Sequence, residues 1–143
     1  MERAGSEGAR LAAPSVRIDL DADGSLAPWR SAVEQAAEPC LLVDAGGRLG
    51  AISGSAALLL ATTPAAAAGL PLDRLLIVID FTSQGLPATE LAAALPVLRS
   101  VTHQVLTRGL FRVRGAAGQA LTFDMIATPL VGGVGALAFL LPI

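Results

Sequence analysis

The chain has 143 residues, 53% of them hydrophobic and 3% aromatic, with a formal net charge of −2 and one cysteine. This length is enough for one domain with its own core, while the near-neutral charge and the scarcity of aromatic side chains argue against nucleic-acid binding. A single cysteine excludes an internal disulfide, which fits a reducing cytoplasm.

The first segment, residues 1–25, is predicted to be a flexible leader, because glycine, alanine, serine and charged residues dominate it. A single folded domain is predicted over residues 26–143. Near the end of the leader, Val16, Ile18 and Leu20 alternate with charged residues, which is the pattern of a short edge strand.

The same stretch carries the first half of a calcium-binding motif. Asp19, Asp21 and Asp23, followed by Gly24, could direct carboxylates at one hard cation. The twelfth position of the motif is Arg30, where the complete loop needs a bidentate glutamate. No metal site is therefore predicted.

The first helix is predicted from Pro28 to Glu38, since proline suits the first helical position and Pro39 ends the helix. Its apolar residues recur at helical spacing and share one side: Trp29, Ala32, Val33 and Ala36. That side has to cover either the chain's own sheet or a second copy of the chain. The helix is the candidate surface for coupling and dimerisation.

The next segment, CLLVDAGGRLGAIS, predicts two strands joined by a turn at Asp44–Gly47. Cys40 opens the first strand, where a free cysteine is expected to be a buried structural thiol. Short helices are predicted to follow, with Ser53 or Ser55 as the N-cap. The stretch Leu75–Ile79 fits either a short strand or a buried helical turn.

A later helix is predicted from Pro96 to Thr107. Its apolar side consists of Val97, Leu98, Val101 and Val105. Ser100 and His103 fall on the opposite side at about 100° per residue. An axial haem ligand must point into a pocket, so no haem site is predicted at His103, the one histidine of the chain.

The last third of the sequence predicts three strands separated by glycine-rich turns. Phe111 and Val113 alternate with arginines, and Leu121, Phe123 and Met125 alternate with polar residues. With the hairpin, these strands predict an α+β fold: a five-stranded antiparallel sheet flanked by short helices on one face.

Neither a targeting segment nor catalytic chemistry is predicted. The amino terminus lacks the apolar core of a signal peptide. The uncharged stretches Leu49–Gly69 and Met125–Ile143 are interrupted by glycine or proline and rich in small residues, so no membrane span is expected. Paired carboxylates, a phosphate loop and a Ser–His–Asp arrangement are not evident, so the sequence does not predict an enzyme.

Three motifs in this order resemble a PAS domain: LLVDAGGRLGAIS its opening hairpin, GSAALLLATTPAAAAGLPLDRLL its small helices, and FRVRGAAGQALTFDMIATPLVGGVGALAFLL its closing strands. Two positions depart from the family. Ser53 stands where many PAS domains carry asparagine. Cys40 lies on the first strand and not in the Asn-Cys-Arg-Phe-like motif of the flavin photosensors, so the resemblance does not imply flavin chemistry, and the cofactor is unknown.

The resemblance implies a pocket for a small apolar ligand between the sheet and the middle helices, although an ordinary core is the default interpretation of such residues. The residues expected to face it are Leu59, Leu76, Val101, Val105, Phe111, Phe123, Met125 and Phe139.

The function that follows is that of a bacterial, cytoplasmic sensory and protein-interaction domain. It is expected to form a homodimer and, since no output domain follows in this sequence, to signal to an output protein in trans. The alternative is a structural interaction module of the roadblock or profilin type, which predicts a longer central helix and no pocket. A small enzyme is the third and minor alternative.

Overall fold

A computed structural model describes residues 26–79, 95–114 and 117–143. Its described strands form one antiparallel sheet of six strands in the order β2-β1-β6-β5-β4-β3. The strands are β1 (Cys40–Asp44), β2 (Leu49–Ile52), β3 (Ile77–Ile79), β4 (Thr107–Arg114), β5 (Ala120–Pro129) and β6 (Gly135–Pro142). The α+β class and the antiparallel sheet are as the sequence predicts.

Five described helices cover this sheet: α1 (Ala27–Gln35), α2 (Gly54–Leu59), α3 (Pro64–Ala67), α4 (Leu72–Leu75) and α5 (Pro96–His103). Helices α2 to α5 enclose the larger core on the inner face, where Leu41 and Val43 of β1 point. Helix α1 packs on the outer face, against Cys40 and Leu42 of the same strand.

The expectation that all helices lie on one face is therefore wrong for α1. The run CLLV is continuous in apolar residues and all four are buried, as in a strand covered on both faces. Side chains of successive strand residues point to opposite faces, so a run without polar interruption requires a cover on each side of the sheet. Helix α1 supplies the outer cover.

The sheet also has one strand more than predicted. The short β3 pairs with β4 at the sheet edge, in the register Ile77↔Arg114 and Val78↔Val113. Three residues are too few for periodicity to separate a strand from a helical turn, so the sequence left this segment open.

The opening hairpin forms as predicted. The Asp44 carboxylate accepts hydrogen bonds from the backbone N–H groups of Gly46 at 2.9 Å and Arg48 at 3.0 Å, which is the local closure that aspartate provides in turns. Gly47 has a φ of +81°, a conformation that glycine adopts without a steric penalty.

Ser53 caps α2, as one of the two predicted candidates. Its hydroxyl accepts hydrogen bonds from the N–H groups of Cys40 at 3.0 Å and Ala56 at 3.2 Å, and the residue is fully buried. One side chain thus ties the first strand, the second strand and the following helix together.

Helix α5 ends at His103, earlier than predicted. Gln104 has a φ of 58° and donates its N–H to the Ser100 carbonyl, so the chain turns away in a left-handed cap. Ser100 is buried, contrary to the prediction, and its hydroxyl is satisfied because it donates to the Val105 carbonyl at 2.8 Å, in the loop after the helix. Thr107 then begins β4 instead of ending the helix.

Two further findings bear on the sequence predictions. The proposed edge strand and the aspartate motif of the leader lie outside the described residues. Across residues 26–79, 95–114 and 117–143, no helix is long and apolar enough to cross a membrane.

Candidate functional site

The candidate site is the inner face of the sheet beneath α5. Phe123 and Met125 of β5 are fully buried there. Phe111 of β4 lies directly opposite Phe123, with ring centroids 6.3 Å apart and planes tilted by 49°, a favourable aromatic arrangement. The closing strands therefore build one apolar wall under the helix.

Six of the residues predicted to face a pocket lie in or against the inner core. Leu76, Phe123 and Met125 belong to the inner core, and Leu59, Val101 and Phe111 pack against it while remaining partly exposed. Whether these residues face a pocket or bind a ligand stays a prediction.

Phe139 and Val105 lie elsewhere. Phe139 is 38% exposed, and on β6 it alternates with the buried Ala138 and Leu140, so its ring is on the outer face. Val105 is 50% exposed in the loop after α5. The sequence favoured Phe139, the largest side chain of β6, as a residue of the inner face. In the structure, alanines of β6 such as Ala138 lie on the inner face under the helices.

Helix α5 is attached to β4 at two places. Gly109 lies below the helix, and a Cβ atom there would come within 3.2 Å of the Pro96 ring. The Thr107 hydroxyl donates a hydrogen bond to the Pro96 carbonyl. The first turn of the helix therefore lies close against the first residues of the strand.

A cleft lies on each side of α5. One has a volume of about 170 Å³ and is lined by residues of the helix start and of β4, among them Leu95, Pro96, Arg99, Gly109 and Phe111. The other has a volume of about 330 Å³ and lies between the helix and the hairpin turn, with Gly46, Gly47, Asp73, Leu98 and Val101 in its lining. The first cleft is mainly apolar, as ligand sites are, whereas the second is more polar.

Cys40 is buried, as predicted. Burial raises the pKa of its thiol, against a smaller opposite effect of the Ser53 hydrogen bond. His103 is exposed. Among the described residues, no group of three or more His, Cys, Asp or Glu side chains could hold a metal ion.

One ion pair of the described residues lies on the outer face. The Arg108 guanidinium meets both carboxylate oxygens of Asp124, with a shortest N–O distance of 2.6 Å. Its hydrogen bonds lower the pKa of the Asp124 carboxyl and raise that of Arg108.

The candidate dimer helix α1 covers its own sheet. Val33 is 2% exposed and packs in the outer cluster with Leu42. Trp29 and Ala36 pack against the same cluster, and Ala32 is exposed. Of the two possibilities that the sequence left open, the cover of the chain's own sheet accounts for the apolar side.

Comparison with known proteins identifies this architecture. No family model matches the chain, and no curated protein does. The PAS domain of a protein from Colwellia psychrerythraea is 20% identical, with a TM-score of 0.60 over 82% of this chain and 96% of that one.

Two other solved structures agree. A domain of the sensory box sensor histidine kinase/response regulator from Geobacter sulfurreducens is 18% identical, with a TM-score of 0.58 over 86% of this chain and 99% of that one. The PAS domain of a LuxR-family transcriptional regulator from Burkholderia thailandensis, solved in complex with ethanol, is 9% identical, with a TM-score of 0.57 over 80% of this chain and 96% of that one. The chain therefore has the PAS fold, as its motifs predicted.

Proposed function

We propose that this PAS-fold chain is a sensory and protein-interaction domain of signal transduction. In this proposal a small apolar molecule enters beside α5, shifts the helix against β4, and the sheet passes the change to an output protein in trans. Support comes from the fold shared with domains of a sensor kinase and a transcriptional regulator, and from the attachment of α5 between two clefts.

The attachment of α5 is the observation that carries the proposal. The helix has eight residues, and Pro96 at its start contacts the first residues of β4 through Gly109 and Thr107. A molecule that wedges between helix and strand must strain these contacts. Because β4 pairs with β5 along its full length, a displacement of its first residues is transmitted into the sheet.

The volumes of the two clefts limit the size of the ligand. Drug-sized ligands occupy pockets of about 300–1,000 Å³, and the two clefts have volumes of about 170 and 330 Å³. The smaller cleft fits a molecule of a few heavy atoms or one side chain of a partner, and the larger one lies at the lower end of the range for drug-sized ligands. The neighbour that was solved with ethanol is consistent with a ligand of this size.

The alternative interaction module fits the described helices less well. A roadblock- or profilin-like module predicts a longer central helix, whereas α5 spans Pro96–His103. We propose a non-catalytic role because PAS-fold neighbours come from sensory proteins. Bacterial origin and a cytoplasmic location remain predictions.

The homodimer also remains a proposal, but its surface needs revision. Since Val33 packs in the chain's own core, a dimer contact on α1 has to use its exposed flank, which includes Ala32. Light scattering of Ala32→Glu should show a halved mass if that flank joins two copies, and an unchanged dimer mass would place the contact elsewhere.

Native purification tests the sensory function. The chain is purified without denaturation, and its absorption spectrum and native mass are recorded. A bound chromophore or a small-molecule mass adduct that is released on unfolding supports the sensor. A bare mass, together with no response to added short-chain alcohols, contradicts it.

A further inference from the structure

The larger cleft beside α5 joins three elements that are distant in the sequence. It has a volume of about 330 Å³ and lies between the hairpin turn, the start of α4 and the second half of α5. Each element contributes a different kind of group: the turn its glycine backbone, α4 the carboxylate of Asp73, and α5 the side chains of Leu98, Val101 and Thr102. The cleft is therefore on the hairpin side of the helix, away from the contacts of Pro96 with β4.

Backbone contacts hold the walls of this cleft in place. A Cβ atom on Gly47 would lie 3.7 Å from the Leu98 side chain, so the turn and the helix meet at this point. The Gly47 carbonyl accepts a hydrogen bond from the Leu72 N–H at 2.9 Å, which fastens the start of α4 to the same turn. The Asp44 carboxylate closes the turn itself. The cleft is thus preformed, as small-molecule sites usually are.

The helix side of the cleft is an apolar wall. Leu98 and Val101 are three positions apart, so they share one face of α5. Both pack against the inner core and remain partly exposed, and both line the cleft. A ligand with a short aliphatic body is favoured here, because it removes this apolar surface from water.

Two polar side chains of the lining have no partner among the described residues. Asp73 is the charged residue of this lining, and neither its carboxylate nor the Thr102 hydroxyl forms a hydrogen bond or an ion pair in the described part of the chain. The neighbouring arginines do not line the cleft: Arg48 donates to the Gly69 carbonyl at 3.0 Å, and Arg74 follows Asp73 on α4 about 100° further around the helix.

The chemistry of these two groups selects the ligand. A carboxylate accepts hydrogen bonds and donates none, and a hydroxyl can accept as well, whereas an ammonium group has three N–H donors. An alkylamine is charged at neutral pH, as the lysine side chain is. A carboxylate or phosphate ligand would meet Asp73 with like charge. The combination of an apolar wall and an unpaired carboxylate therefore fits a short aliphatic amine.

We propose that the larger cleft binds a small primary amine. Its ammonium group lies at Asp73 and Thr102. Its aliphatic body covers Leu98 and Val101. This site goes beyond the apolar ligand proposed beside β4 and does not depend on it, and it gives α5 a second ligand of different chemistry on the side of the hairpin.

A titration of the ¹⁵N-labelled full chain with n-butylammonium chloride tests the site. The proposal predicts saturable amide shifts at Gly46, Gly47 and Thr102. Asp73→Asn removes the charge with little change of shape and should weaken binding about fivefold, as loss of a solvent-exposed ion pair does. Shortening the amine should weaken binding by up to about fourfold for each methylene removed, because less apolar surface is covered.

Two further variants separate recognition from a general effect of charge. Glu34→Gln removes one negative charge at an exposed position of α1, on the outer face of the sheet, and should leave the affinity unchanged. Thr102→Val removes the hydroxyl, keeps the shape and should weaken binding by roughly threefold, the effect of one neutral hydrogen bond. Asp73 also lies in the first turn of α4, where a negative charge favours the helix, so thermal melts must first show that each variant is folded.

The amine site and the apolar site can fail independently. Gly109→Ala crowds Pro96 and should disturb the response to alcohols while the amine affinity stays the same. Asp73→Asn should do the opposite.

Three results would overturn the amine site. These are a linear, non-saturating response at the hairpin turn, one affinity shared by the parent and Asp73→Asn, and binding of a lysine-containing peptide without binding of n-butylammonium, since the last would assign the cleft to a side chain of a partner protein. Saturable binding that is weakened by Asp73→Asn and by added salt, which screens an exposed charge pair, but not by Glu34→Gln, would establish the site.

Discussion

The stability effect of Ser53 is the prediction that tests the fold most sharply. The buried Ser53 hydroxyl accepts from the N–H groups of Cys40 and Ala56. The Ser53→Ala variant leaves both donors without this partner, one of them in the first strand and one in the first turn of α2. An unsatisfied buried donor costs about 1–3 kcal/mol, so the free energy of unfolding should fall by about 3 kcal/mol.

Thr63→Ala provides a matched control. Thr63 is also an N-cap, and its hydroxyl accepts from the N–H of Ala66 at 3.1 Å, but the residue is exposed. Water can replace that bond, so the loss should be about 1 kcal/mol.

Urea unfolding of the full chain, followed by circular dichroism, measures both variants. A Ser53→Ala loss clearly above the Thr63→Ala loss is expected. Equal losses, or a Ser53→Ala loss under about 1 kcal/mol, which is the size of an ordinary cap, would refute the assignment of Ser53 as the buried link between β1 and α2.

Two further predictions concern charges on the outer face. Val33→Glu should lower the free energy of unfolding by about 3 kcal/mol or more, because it buries an unpaired carboxylate. Thermal melts should show little change for the control variant Ala32→Glu. Equal melting temperatures of the two variants would contradict the packing of α1. The lowered pKa of Asp124 predicts that the ion pair with Arg108 stabilises the fold above the ordinary carboxyl pKa of about 4 and that this contribution is lost as the pH falls through the lower folded value. The stability gap between the parent and Asp124→Asn should close on acidification, and a gap that persists at the lowest pH would be inconsistent with the ion pair.

The parts of the fold that depend on local chemistry could be predicted from the sequence. The turn at Asp44–Gly47 is set by one aspartate and one glycine, and the alternation of Leu121, Phe123 and Met125 places all three on one face of β5. These signals are contained within a few residues, so no knowledge of distant contacts is needed.

The parts of the fold that depend on packing between distant segments could not be predicted from the sequence. The inward direction on β6 is fixed by the close approach of the helices, which favours Ala138 over Phe139. Helix α5 ends at the left-handed cap Gln104, and the Ser100 hydroxyl donates to the Val105 carbonyl of the following loop. A polar residue is therefore buried and an apolar one exposed. A helical wheel assumes the reverse.

The position of α1 also depends on contacts with residues distant in the sequence. Its apolar side was consistent with either a second copy or the chain's own sheet, and the choice depends on Leu42, a residue on another element. The run CLLV carried the missing information, because four consecutive buried residues require a cover on both faces of a strand.

The central proposal is that a small molecule acts on α5 and β4, and one titration tests it most directly. Ethanol and longer primary alcohols are added to the ¹⁵N-labelled full chain, and the amide shifts are followed. The proposal predicts saturable shifts concentrated in α5 and in Thr107–Phe111. Gly109→Ala, whose added Cβ crowds Pro96, should weaken them, whereas Gly54→Ala, where a Cβ has open space, should not. Shifts that never saturate, or that are spread evenly over the sheet and equal in both variants, would contradict it.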